Sequence, residues 1–161
     1  MADKGSLEDF KKKYEELRVK YDLPSFKELN ESFEIECVVE EESDLILRRI
    51  RHQIMDRVAV NFRLMEIFLN PSNAPMFFFN IVKSFNSQDK SLIQEVYNKY
   101  VEIELDVFQI ENKYAEKFEA EFIKKVYKEN EKLKNKLESL FEKIRKNYTS
   151  LDKKQDKSYF G

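Results

Sequence analysis

Glycine is almost absent from this chain: of 161 residues only Gly5 and Gly161 are glycine. Glycine supplies the positive φ of tight turns and the close backbone approach that phosphate loops need. A P-loop, a dinucleotide fingerprint and a Gly-rich kinase loop are therefore excluded between them. Hairpin-rich β folds are disfavoured too, because their turns rely on Asn-Gly and Gly-X pairs. Proline is scarce: Pro24, Pro71 and Pro75 all lie in the first half, and neither breaker occurs from Met76 to Phe160. Cys37 is the single cysteine and His52 the single histidine, and tryptophan is missing. One cysteine allows no intramolecular disulfide, which fits a reducing compartment. No apolar leader is visible in residues 1–25, and the longest dense apolar stretch, Met76 to Val82, is far short of the roughly 20 residues of a membrane span. These features predict a soluble cytoplasmic protein with no membrane partner.

What is present is charge and large apolar side chains. Charged residues make up 37% and there are 14 phenylalanines, too many for a disordered chain. The apolar positions have a helical period. Leu7, Phe10, Tyr14, Leu17 and Tyr21 step by 3, 4, 3, 4 over residues 6–21. Ser6 with Asp9 resembles a capping box, and Pro24 stops the helix. Ser25-Phe26-Lys27-Glu28 is a full capping box and opens a short helix to about Ser32. Phe33, Ile35 and Cys37 alternate with Glu34 and Glu36, which predicts an extended piece over 33–42, with a loop as the alternative. Ser43 is the next N-cap, and Leu47, Ile50, Ile54, Val58, Met65 and Phe68 carry a helix from Asp44 to Leu69. Asn70 to Pro75 is a turn cluster in which Ser72 or Asn73 caps a compact helix over 76–85, with Pro75 in its first turn. Asn86-Ser87-Gln88 is a further turn.

From Asp89 to about Tyr148 the pattern is helical without a breaker. Val96, Tyr100, Ile103, Val107, Ile110 and Tyr114 form a heptad seam, then Phe118, Phe122 and Val126 follow in steps of four, as a stutter does. The seam resumes at Leu133, Leu137, Leu140 and Ile144, with Tyr148 and Leu151 less regular. Unbroken, such a helix spans on the order of 90 Å. Two readings stay open at Asn130: a core asparagine that sets register, or part of a polar corner, Lys128 to Glu131. The prediction is an all-α helical bundle with a long C-terminal helix, and a possible coiled-coil extension. Residues 1–43 are N-terminal helices and an acidic connector, 44–127 the bundle core, and 128–161 a basic C-terminal helix and tail, within one domain overall.

A net charge of −2 hides segregation. Residues 1–47 are net −7, residues 48–63 net +4, residues 64–123 net −5 and residues 124–161 net +6. Glu28 to Asp44 holds eight acids and no base, followed by Arg48, Arg49, Arg51, Arg57 and Arg63. These arginines either pair with the acidic segment or bind an acidic or phosphate-bearing partner. A helical wheel turns Arg49, His52 and Arg63 to solvent and places Arg51 and Arg57 beside the apolar stripe. Lys124, Lys125, Lys128, Lys132, Lys134, Lys136, Lys143, Arg145 and Lys146 decorate the last helix and make nucleic acid an alternative partner. The interleaved Glu129, Glu131, Glu138 and Glu142 fit an ordinary solvated helix instead.

Catalytic constellations are not visible. One histidine and one cysteine exclude a multi-ligand zinc site within one chain. Arg49 stands three before His52, where a di-iron motif needs glutamate. Glu40, Glu41, Glu42 and Asp44 lack the spacing and glycine of a calcium loop, and suit a helix start. Cys37 is expected to pack as a small hydrophobe and His52 to be exposed. Met76-Phe77-Phe78-Phe79 is expected to be a buried core helix rather than a docking or membrane-surface segment. No catalytic, cofactor-binding or metal site is predicted. The expected function is non-enzymatic protein–protein interaction or scaffolding, through a protein partner or self-association.

Overall fold

A computed structural model describes residues 4–39 and 45–158, with side chains described over 7–39, 45–72 and 74–149. The chain is an all-α helical bundle with a long C-terminal helix, and no strand occurs among the described residues. In order, α1 is Lys4–Tyr21, α2 is Phe26–Phe33, α3 is Ile46–Leu69, α4 is Met76–Lys83, α5 is Ser87–Glu111 and α6 is Glu116–Ser158. Short 3-10 turns lie at Ile35–Val38 and Pro71–Asn73. No described helix is long and apolar enough to cross a membrane.

With glycine missing, other residues take the left-handed conformations that end helices. Asp22 has φ 53° and Glu34 has φ 54°. After α1, the Leu23 amide donates to the Arg18 carbonyl at 3.1 Å, the six-to-one bond of a Schellman ending, and Leu23 itself is buried. Ser25 caps α2 with the reciprocal box: Glu28 N donates to Ser25 Oγ at 3.2 Å and Ser25 N donates to Glu28 Oε2 at 2.7 Å. Asn86 and Asp89 do the same for α5, each backbone amide donating to the other's side-chain oxygen at 2.9 Å. That box begins the helix two residues before Asp89, inside the stretch read as a turn.

Two compact units emerge. The first comprises Met1–Val60 and Val101–Glu131, the second Asn61–Tyr100 and Lys132–Gly161. The core of the first unit includes Phe10 and Tyr14 of α1, Leu29 and Phe33 of α2, Ile50 and Ile54 of α3, and Phe122, Ile123 and Val126 of α6. The Tyr14 hydroxyl donates to the Pro24 carbonyl at 2.6 Å, and burial pushes its phenol well above the ordinary tyrosine value. The second unit buries Met65, Phe68, Ile93, Val96, Leu133, Leu137 and Leu140. There Phe68 meets Phe85 edge-on at 5.2 Å and Phe62 stacks on Tyr97 at 5.2 Å. Lys136 Nζ donates to Glu95 Oε1 at 2.7 Å, and Lys143 donates to Asp89. Burial works against the Asp89 charge, but the Lys143 and Asn86 donors outweigh it and hold the carboxyl below its usual range.

Several expectations fail, each for a local reason. From Glu34 to Val39 the segment after Phe33 is not extended, and Glu40, Glu41 and Glu42 lie outside the described residues. Glu34 caps α2, the Glu36 amide is taken by Asn30 Oδ1 at 2.9 Å, and a 3-10 turn follows. Its three-residue period places both Ile35 and Val38 inside, and leaves Cys37 exposed rather than packed. Ser6 is not an N-cap, since α1 is already helical at Lys4. Ser43 and Asp44 lie outside the described residues. Pro75 is the N-cap of α4 rather than part of its first turn, and it supplies no side-chain cap hydrogen bond.

The pattern from Asp89 to Tyr148 is also not one helix. It breaks at residues 112–115. Asn112 Nδ2 donates to the Phe108 carbonyl at 2.9 Å and the Lys113 amide to Ile110 at 3.3 Å, which closes α5 without proline or glycine. The break resets the buried face. Ala120, Phe122, Ile123 and Val126 go inside and Phe118 goes out. An uninterrupted stutter would have kept Phe118 on the seam. Asn130 is half-buried within α6, so the helix is continuous there and the polar corner does not exist.

Candidate functional site

The arginines of α3 are largely taken up by the first unit itself. Arg51 is 1% exposed and Glu119 fully buried, with Arg51 Nε donating to Glu119 Oε2 at 2.6 Å. Arg51 also reaches Glu111 Oε1 at 2.7 Å, and Arg48 reaches Glu111 Oε2 at 3.2 Å. The Arg51 hydrogen bond holds the Glu111 carboxyl below the usual glutamate range, with the Arg51 charge, a His52 hydrogen bond and the Arg48 charge adding to it against partial burial. His52 is exposed, with Nε2 3.4 Å from Glu111 Oε1. Arg57 pairs with Glu34 of the acidic segment. Arg63 faces solvent. Arg49 does not: it is buried, with its guanidinium 5.8 Å from the centre of the Phe10 ring. The wheel missed this because Phe10 of α1 lies against Arg49, and a wheel ranks faces by their own helix alone. Glu119 was missed altogether, since a glutamate between Phe118 and Ala120 looks like any surface acid.

The described basic residues of α6 are likewise mostly engaged. Lys124 donates to the Tyr21 carbonyl at 3.0 Å and lies 3.8 Å from Asp22. Lys125 pairs with Asp106, Lys136 with Glu95, Lys143 with Asp89, and Lys146 with Glu142. Lys132 has a further interaction of its own. Lys128, Lys134 and Arg145 have no acidic partner among the described residues. Among the described residues no group of three or more His, Cys, Asp or Glu side chains is arranged to hold a metal ion.

What stands out is apolar surface. In α4, Met76 is 82% exposed and Phe77 46% exposed, with Phe79 exposed as well. Only Ile81 of that helix is buried. This overturns the expectation of a core helix. Eight residues give α4 two turns, so only one side of it faces the second unit. The run Met76 to Phe79 goes round the whole helix, and most of it must point outward. Beside it, Phe141, Ile144, Arg145 and Tyr148 of α6 lie at i, i+3, i+4 and i+7. With Phe77 and Ile81 they line a groove of about 400 Å³. The first unit has a smaller groove, about 290 Å³, where Phe118 and Phe122 of α6 face Asp106 and Ile110 of α5. Phe118 is 51% exposed, and Leu105 and Phe108 of α5 are exposed as well.

In comparisons by sequence and by fold, no protein-family model, curated protein or solved structure matched this chain.

Proposed function

We propose that this protein works by protein–protein contact through exposed aromatic grooves, as a non-enzymatic interaction or scaffold protein. The observation that supports this is the exposure of large apolar side chains beside a groove in each unit: Phe77 with Met76 in one, Phe118 in the other. Clustered exposed apolar surface of this kind marks interaction sites on folded proteins. Nucleic acid is less well supported, because intramolecular acids pair with most of the described α6 lysines that would meet phosphates. The test is recovery of the tagged chain from its native cell beside the Phe77→Asp and Phe118→Asp variants, with light scattering of all three. Both side chains are exposed, so the variants should keep the wild-type helical circular dichroism. A partner or a self-assembled form that is lost in one variant supports the reading. A monomer whose recovered proteins are the same in all three refutes it.

A further inference from the structure

We infer that the groove of the second unit takes an acidic amphipathic helix from a protein partner, and that Arg145 holds one of its carboxylates. This rests on the protein-contact reading above and deepens it. The groove has the walls that helix-in-groove recognition uses: an apolar stripe at i, i+3 and i+7 on α6, formed by Phe141, Ile144 and Tyr148, facing Phe77 and Ile81 on α4. Arg145 sits inside that stripe rather than on the far side of the helix. Its neighbours in sequence are occupied, Lys143 by Asp89 and Lys146 by Glu142. Arg145 is exposed and has no acidic partner among the described residues. A guanidinium left open among aromatic walls is arranged for a planar carboxylate, which it can bind through two parallel hydrogen bonds.

The wider charge agrees. The second unit carries 13 basic and 7 acidic residues, net +6, while the first carries 16 and 24, net −8. An acidic ligand is therefore drawn to the second unit. A lipid surface fits less well. Lys83 is the only basic residue of α4, so that helix lacks the cationic face of a membrane-surface helix. A single strand of nucleic acid needs a row of cations beside the aromatics, and this groove holds one.

The full chain is to be screened against a displayed library of amphipathic helical peptides, with acidic, neutral and basic polar faces equally represented. The expected winners are acidic peptides with apolar residues at i, i+3 or i+4, and i+7. Arg145→Glu should weaken them about tenfold or more, and changing the anchoring acid of the peptide to lysine should restore binding to that variant. Phe77→Ser should weaken them as well. Selection of neutral or basic peptides, selection of none, or indifference to Arg145→Glu overturns the inference. So does tighter binding of a fluorescent single-stranded oligonucleotide, of anionic phospholipid vesicles or of a second copy of this chain that depends on both Phe77 and Arg145. None of these failures touches the protein-contact reading, which falls only when partners and assembly state ignore Phe77 and Phe118 alike.

Discussion

Replacing Arg51 by methionine tests the electrostatic core of the first unit. In the folded protein Glu119 is fully buried and accepts from Arg51, while its Oε1 is buried with no hydrogen-bond partner. Removing Arg51 thus strands a buried carboxylate, and breaking a buried pair in this way costs about 3–5 kcal/mol. The reverse change is milder. In Glu119→Leu, Arg51 keeps Glu111 at 2.7 Å, and a loss of about 1–3 kcal/mol is expected. Arg51→Met with Glu119→Leu together should fall near wild type, because apolar replacement of both partners removes the desolvation penalty along with the attraction. The assay is urea unfolding of the four proteins at neutral pH, followed by far-ultraviolet circular dichroism. The reasoning is refuted if Arg51→Met lies within about 1 kcal/mol of wild type, or if the double variant is worse than either single one.

Two further outcomes follow from the same geometry. Glu111 and Glu116 are held below their usual range by hydrogen bonds, from Arg51 in one case and from Lys20 and Tyr21 in the other. Their folded forms release protons more readily than the unfolded chain, so their contribution is complete at neutral pH and lost as pH falls from about 4.3 through the lower folded values. Acid titration should show this loss, and Glu111→Gln should make it shallower; an equally steep loss contradicts the assignment. Asp22→Gly should stabilise the chain by about 0.5–1 kcal/mol in thermal or urea unfolding, because Asp22 adopts a left-handed φ with its side chain exposed. A loss of stability there would mean that its 3.8 Å pairing with Lys124 outweighs backbone strain.

Much of the helical architecture was readable because its causes are local. Ser25 and Glu28 are three residues apart and cap α2 whatever surrounds them. Leu47, Ile50, Ile54 and Val58 keep one side of α3 apolar, and all four are buried. Without glycine or proline from Met76 to Phe160, helices were the regular structure the second half could form most economically. The exposed Arg63 and the buried Arg51 were also legible, since each follows from its angle to that stripe.

The rest belongs to the tertiary structure. Periodicity locates an apolar face but says nothing about what covers it, so Arg49 and Glu119 read as surface charges until α1 and α3 close over them. The break at residues 112–115 carries no proline or glycine: side-chain and main-chain hydrogen bonds close α5 there, and beyond it Ile123 is buried while Phe118 is exposed. Met76-Phe77-Phe78-Phe79 has the same hydrophobicity in a core or on a rim. Alone, the sequence determined that this segment would be helical and apolar. Only the packing of a two-turn helix against one side of its unit decided that most of it would face outward, where a partner can reach it.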